Sequence, residues 1–324
     1  MADEAFISVL MPVRNGERFI AEAARSVLDQ RGAALELVVV DDGSVDRSRE
    51  RVQALGDPRV RIVDGPCRGI AAALNAGLAA AAGTFVCRCD ADDRMEPGRL
   101  ERQATFLGAR RELAAVCGQF CSMTESGRAL AEMDCGARAE EITGELRRGC
   151  VRTSLCTFLV RAGVARELGF REAFTTAEDI DFALRLSEVG RVWFEPRVEY
   201  HYRLHGESIT HRHPSAARLH YEERARALQT ERLRCGSDAL MRGGELDPPP
   251  LIGGPGESPR EQAIGVLLGA AWRHRREGRH WRALRTGVRA CARYPSELGC
   301  WRSLGAMVLK REAEGPGGAA ETGG

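Results

Sequence analysis

Through its first third the chain alternates short unbroken apolar runs with stretches of helical spacing. Phe6-Ile7-Ser8-Val9-Leu10-Met11 reads as a buried strand ending at Pro12, and 17–30 has helical periodicity through Ile20, Ala24, Val27 and Leu28. A second strand over 35–40 is stopped by Asp41-Asp42-Gly43-Ser44, and a helix over 46–55 follows. A third strand is predicted at 60–63, a helix of small residues at 70–82, and a fourth strand at 84–89 that runs into Asp90-Ala91-Asp92-Asp93. Strands alternating with helices predict an α/β fold with a mainly parallel sheet. In such sheets ligands sit beyond the carboxyl ends of the strands, and both acidic clusters fall there.

Beyond this the pattern loosens. It predicts a strand near 115–121, a helix near 138–148, an apolar stretch at 155–160, a helix over 177–189, and two short strands at 191–195 and 198–202. The second half of the sheet is therefore expected to be mixed. Leu246-Asp247-Pro248-Pro249-Pro250 through Gly256 can hold neither helix nor central strand. The expected organisation is a domain over 1–215, a helical extension over 216–245, a Pro/Gly linker over 246–258, a helical region over 259–312 and a disordered tail over 313–324. The last helical region opens with Ser258-Pro259-Arg260-Glu261, a capping box with proline at the first helical position.

Composition narrows the chemistry. The 324 residues are 44% apolar, enough to fill a sizeable core, and Lys+Arg 47 against Asp+Glu 46 gives a net charge of +1, so no overall field points to a nucleic-acid partner. Lys310 is the only lysine, which excludes a Schiff-base lysine or a phosphate-loop GKS/GKT within the body of the chain. Eleven scattered cysteines without a CxxC pair suit reduced thiols in a cytosolic compartment. Asp3 and Glu4 precede the first strand, so no export signal is expected, and the small-residue run at 69–83, broken by Asn75, is too short to span a bilayer.

Asp90-x-Asp92, with Asp93 beside it, gathers hard oxygen ligands on a turn after a buried strand, which suits Mg²⁺ or Mn²⁺ holding a diphosphate. At Asp41 a carboxylate can accept hydrogen bonds from a base or ribose. Glu178-Asp179 opens a helix whose Ile180, Ala183 and Leu184 face inward, leaving the two carboxylates on its first turn, where one could serve as a base. Each cluster alone also has an ordinary structural explanation, as turn acids, helix caps or partners of a helix dipole.

Taken in order, SVLMPVRNGERFI, VVVDDGSVDRS, RGIAAALNAGLAAAAGTFVCRCDADD and AEDIDFALRLSEVG resemble the successive motifs of the family 2 glycosyltransferases, over roughly 5–210. The resemblance implies a single nucleotide-sugar-binding, Rossmann-like domain of the glycosyltransferase A type, a Mn²⁺ or Mg²⁺ ion, and inversion at the anomeric carbon. On matching positions it implies that Pro12, Val13 and Asn15 line the nucleotide end, that Asp41 contacts a uracil-like base, and that Arg68 and Asn75 approach the nucleotide or diphosphate. Asp90 and Asp92 take the ribose and metal positions, with Asp92 the better candidate for direct ligand. Asp179 matches the catalytic base, supported by Glu178. Tyr202-Arg203-Leu204-His205, followed by Ser208-Ile209, resembles a closing segment in which Arg203 or His205 reaches phosphate or metal.

The chain departs from the family pattern at Arg14, where an aromatic is frequent, and at Leu155, where a histidine is frequent. It has no QxxRW after the Glu178-Asp179 motif, and with no membrane helix expected this favours single sugar additions to a glycan, lipid-linked or other hydroxyl acceptor. A catalytically silent nucleotide-sugar-binding scaffold is the alternative. A dinucleotide oxidoreductase would need GxGxxG where the chain reads PVRNGERF, and a nucleotidyltransferase would carry a glycine-rich basic loop there. Trp272, Trp281 and Trp301 among arginines suggest peripheral contact with a protein or with the inner face of an anionic membrane.

Overall fold

The computed structural model describes residues 5–206, 215–249 and 258–309. Asp3 and Glu4, Ser208-Ile209, most of the Pro/Gly linker and the tail over 313–324 lie outside the described residues. The chain divides into two compact units, Met1–Pro259 and Arg260–Gly324.

The first unit is built on a ten-stranded sheet. Strand β1 (Phe6–Val13) lies between β2 (Ala34–Asp41) and β4 (Phe85–Arg88), and β3 (Val60–Asp64) edges β2, all four parallel. Beyond β4 come the reversed β9 (Leu159–Arg161), then β6 (Leu113–Thr124) and β10 (Arg191–Leu204), which return to the common direction. Short reversed strands finish the margins: β5 (Arg94–Met95) and β8 (Glu140–Glu141) on β10, and β7 (Ala129–Glu132) on β6. The sheet is thus mixed and mainly parallel.

Side chains alternate across the sheet with a period of two. On one face Ile7, Val9, Met11, Leu37 and Val39 pack under α1 (Ile20–Leu28), α2 (Ser48–Gln53) and α4 (Arg99–Gly108). On the other, Leu10, Val38 and Val40 pack under α3 (Ile70–Ala80), α6 (Ala162–Leu168) and α7 (Glu178–Val189). Small residues let α3 sit close: a Cβ at Gly77 would come within 3.2 Å of Val40 Cγ2 and 3.3 Å of Leu10 Cδ2.

Three expectations are corrected. Strand β1 does not end at Pro12, because β4 ends opposite Leu10 and the side on which proline lacks its N–H is open by then. The helix expected near 138–148 shrinks to α5 (Thr143–Arg147), since Glu140 and Glu141 pair with Phe194 and Trp193 and the Ile142 N–H donates to Val192 O at 2.9 Å. The two short strands after 190 are one, β10, irregular around Pro196, which cannot donate to the ladder. Helix α8 (Ser215–Cys235) packs Tyr221, Ala225 and Leu228 against Phe174, Ile180 and Leu184.

The second unit comprises α9 (Pro259–Arg276), α10 (His280–Arg293) and α11 (Leu298–Leu309). Its buried positions are mostly small: Ala263, Ala270 and Ala271 with Leu267 on α9, Ala283, Gly287, Ala290 and Cys291 on α10. No described helix is long and apolar enough to cross a membrane.

Candidate active site

Four loops meet at the carboxyl edge of β1, β2, β3 and β4. After β1, Asn15 adopts φ 58°, its N–H donates to Ser44 Oγ at 3.0 Å and its Oδ1 accepts from Val45 N at 2.8 Å. Glu17 and Asp46 reciprocate: Glu17 N donates to Asp46 Oδ2 and Arg47 N to Glu17 Oε2, each at 2.9 Å. This clasp fixes the mouth between β1 and β2. Val13 is buried and registers against Asp41, and Pro12 is half-buried beside it.

Asp41 is 8% exposed; its Oδ1 accepts from Ser44 N at 2.9 Å and its Oδ2 lies 3.6 Å from Arg49. Its neighbour Asp42 turns the other way and cradles the loop after β3, accepting from Cys67 N at 2.7 Å and Gly69 N at 3.1 Å. That loop carries Cys67 at φ 56° and the exposed Arg68, paired with Glu172 at 3.2 Å. Asn75 is committed internally: it donates to Phe170 O at 2.8 Å and accepts from Phe170 N at 2.7 Å, tying α3 to the segment that leads into α7.

At the end of β4, Arg88 grips Asp90 through Nε at 2.5 Å and Nη2 at 3.1 Å. Its remaining arm, Nη1, donates to Glu178 Oε1 at 3.0 Å. Asp90 N donates to Tyr200 OH at 2.9 Å, so strand β10 steadies the turn. Asp93 is fully buried and accepts from Arg203 N at 2.6 Å; burial first, then the charges of Asp92 and Asp90, push its carboxyl well above the ordinary range. Asp93 is therefore part of the scaffold. Asp92 points outward, its side chain 30% exposed, with Oδ2 2.8 Å from His205 Nε2.

Arg203 is buried and committed inside. It donates to Asp92 O and to Glu125 O, each at 2.6 Å, pairs with Glu22 at 2.9 Å, and lies 4.7 Å over the Phe19 ring. His205 packs on the same ring at 4.8 Å, and its Nδ1 is buried without a partner among the described residues.

Helix α7 begins abruptly. Ala177 is held at φ 60°, a conformation that costs a residue with a Cβ roughly 1 kcal/mol or more and persists only where surroundings impose it. The bend buries Glu178, 5% exposed, and leaves Asp179 with a side chain 20% exposed and 3.8 Å from Arg218 of α8. Burial first, and the Asp179 charge second, raise the Glu178 carboxyl, while Arg88 opposes them. Asn15, Cys67 and Ala177 are the described non-glycine residues at positive φ, and all three lie in or beside these loops.

Asp92 and His205 are two side chains of metal-ligand type that the fold brings together here. No group of three or more such side chains occurs among the described residues. Two donors suit an ion that takes its remaining ligands from bound phosphate and water, as Mg²⁺ does, and do not suit an ion caged by protein alone.

Residues 8–168 match the family described as Glycosyl transferase family 2. EpsE of Bacillus subtilis (strain 168), which carries a glycosyltransferase name, is 33% identical over 193 residues, 57% of this chain and 67% of its own length. The chain belongs to glycosyltransferase family 2. Chondroitin synthase of Pasteurella multocida (strain Pm70) is 31% identical over 207 residues, 63% of this chain but 21% of the synthase, so the chain spans about a fifth of that relative. Among solved structures, S. aureus TarS 1-349 in complex with UDP-GlcNAc aligns with a TM-score of 0.58 at 22% identity over 69% of this chain and 66% of that one, which supports the fold.

Sequence reading of this family 2 glycosyltransferase missed Arg88, Asp42 and Tyr200. Arg88 gives a faint signal, a charged residue inside an otherwise apolar strand. Nothing in the sequence tells Asp42 from Asp41, because only the turn of the backbone sends one carboxylate toward the next loop and leaves the other at the mouth.

Proposed function

We propose that the chain transfers a single sugar, with inversion, from a nucleoside diphosphate sugar, a UDP-sugar, to an acceptor hydroxyl in polysaccharide or glycoconjugate synthesis. The observation that carries this reading is the triple contact of Arg88, which sets the first turn of α7 beside the acidic turn after β4. Pro12, Val13 and Asn15 form the wall of the nucleotide end, and Asp41 receives the base at the clasped mouth. Arg68 and Asn75 border the diphosphate, Arg68 by charge and Asn75 by fixing the neighbouring backbone. Asp90 receives the ribose, and Arg203 acts from beneath by holding the Asp92 backbone.

Asp179 is exposed enough to meet an acceptor, with Glu178 buried behind it. The acceptor oxygen attacks the anomeric carbon, the bond to the diphosphate breaks with its electron pair leaving on phosphate, and the acceptor proton passes to Asp179. Mn²⁺ or Mg²⁺, held by Asp92 and His205 with the donor's phosphate oxygens, would offset negative charge on the leaving diphosphate.

Calorimetric titration with nucleoside diphosphates and their sugars, with Mn²⁺ and with chelator, tests this. Metal-dependent binding of a uridine nucleotide is the expected result. Binding without transfer to any acceptor would favour the silent scaffold, and no binding to any nucleotide would sink the reading.

The second unit supports a further contact. Residues 260–309 hold ten arginines against three carboxylates, with Trp281 86% and Trp301 49% exposed. Such a surface suits the cytoplasmic, inner face of an anionic membrane, where a lipid-linked acceptor would be found.

A further inference from the structure

Arg88 is the last residue of β4 and faces the same side of the sheet as Val86, toward α7. Its stem runs beside a small apolar void lined also by Leu74, Leu155, Phe170 and Phe182. Those walls offer its charge no polar partner, and its side chain is only 11% exposed. The guanidinium therefore ends where three bonds are available: two to Asp90 and one to Glu178, a residue 90 positions further along the chain. A planar fork with five N–H groups can satisfy both carboxylates at once, which an ammonium cannot do with fixed geometry.

We propose that Arg88 is a positioning residue that locks the first turn of α7 to the acidic turn after β4, so that Asp179 faces the acceptor only while the donor-side acids are in place. The inference rests on the reading of Asp179 as the base. Asn75 and Asp42 each tie one loop to its neighbour, whereas Arg88 joins the donor half of the site to the acceptor half. The strained Ala177 just before Glu178 fits this arrangement, since a backbone held at φ 60° needs an external anchor.

The charged groups facing Glu178 are Asp179 on its own helix, Arg88 on β4 and Arg218 on α8. Replacing Arg88 by methionine removes one of the two cations and leaves the other, so the carboxyl pair should hold its proton to higher pH. Arg88→Lys keeps a charge but loses the fork, and it also keeps a cation between the two carboxylates should the methionine variant not fold.

The test compares both variants with the parent as full chains. In Arg88→Met the turnover number should fall about hundredfold with a smaller change in donor KM, as expected when a catalytic group is misplaced by an ångström or so. The acid limb of kcat/KM should move to higher pH. In Arg88→Lys the limb should stay near that of the parent, and roughly a tenth of parental turnover should return, because charge is restored without the bidentate geometry. Amide exchange at 179–181 should accelerate at least about tenfold in Arg88→Met.

Unchanged exchange at 179–181 together with an unchanged Glu178 titration, followed by carboxyl carbon NMR, would overturn the proposal. So would a lysine variant no better than methionine in both limb position and exchange. A parent protein that transfers from no nucleotide sugar would remove the reading of Asp179 as base, while exchange and the Glu178 titration would still decide whether Arg88 holds the turn.

Discussion

The two units solve the problem of apolar burial in opposite ways. In the first, large residues go inside: Ile7, Val9, Met11, Ile20, Leu37 and Leu74 are at or near zero exposure, and several buried polar groups are joined in networks. At the amino ends of the strands Ser8 donates to Glu36 at 2.6 Å and accepts from Gly83 N at 2.8 Å, while Glu36 also meets Ala82 N and Arg61. In the second, the buried residues are chiefly alanine, glycine and cysteine with Leu267 and Met307, and several large apolar ones face out: Trp281, Leu298, Val308 and Leu309 are each more than half exposed. A methyl-sized core contributes little per residue at about 25 cal/mol per Å² of buried apolar area. The contrast separates a framework built to hold acids in place from a surface built to present tryptophan and arginine.

The largest expected effect breaks the first unit's chemistry without touching its packing. Asp179→Asn should lower turnover about thousandfold, within the range that positioned bases contribute, and leave donor affinity within a few-fold. Initial-rate kinetics beside calorimetry measures both, and full activity would remove the base assignment. Next in size, Leu37→Ala should cost about 2–5 kcal/mol in denaturant unfolding, whereas Trp301→Ala should stay within about 0.5 kcal/mol. Equal costs would mean that the two units do not differ in the way their burial suggests. Asp92→Ala should weaken donor binding about tenfold or more with Mn²⁺ present, roughly 1.4 kcal/mol, and change it little in chelator.

The same contrast explains what the sequence could tell. Strands β1, β2 and β4 were legible because central parallel strands are buried on both faces and read as unbroken apolar runs that acids terminate. Helix α3 was legible from its small residues. Helix α4 was not, since its inward face includes Arg99 and Gln103, which are buried because they bond each other at 2.9 Å and reach Phe158 O and Thr157 O. The strand β8 was mistaken for helix because its pairing with β10 joins residues some fifty positions apart. Acids at strand ends were visible as chemistry, but the division of labour among them was not: Asp42 and Asp93 hold the backbone while Asp41 and Asp92 face the mouth, and that depends on turns that composition does not encode.

Glu178 gives a pH prediction with a defined sign. Burial and the Asp179 charge raise its carboxyl in the folded protein, so the folded state binds this proton more tightly than the unfolded chain does. The stability it contributes is fully present below the ordinary glutamate value and is lost as pH rises through the raised one. Denaturant unfolding measured across pH checks this, and Glu178→Gln should remove that part of the pH dependence; an unchanged profile in the glutamine variant would show that the Glu178 carboxyl is not the group responsible.

The smallest effect belongs to the second unit. On α11, Leu298, Trp301, Gly305, Val308 and Leu309 follow the spacing of one helical face, and four of them are exposed, with Arg302 alongside. An outward stripe of this kind gains little by meeting water and more by entering a headgroup layer, where tryptophan is favoured and arginine meets phosphate. Each nearby arginine adds about 1 kcal/mol at an anionic surface, so charge should decide which vesicles are bound and the tryptophan how deeply. Trp301→Ala should therefore lower partition onto phosphatidylglycerol vesicles several-fold in co-sedimentation, roughly 1 kcal/mol. Partition onto phosphatidylcholine should be weak for both proteins, and 0.5 M salt should weaken the anionic case by screening, since the Debye length then falls below about 5 Å. Turnover on a water-soluble acceptor should not change. Equal binding to both vesicle types would show that charge does not select the surface, and binding to neither would point to a protein partner for this face; both leave the acid-bearing unit with its chemistry unaltered.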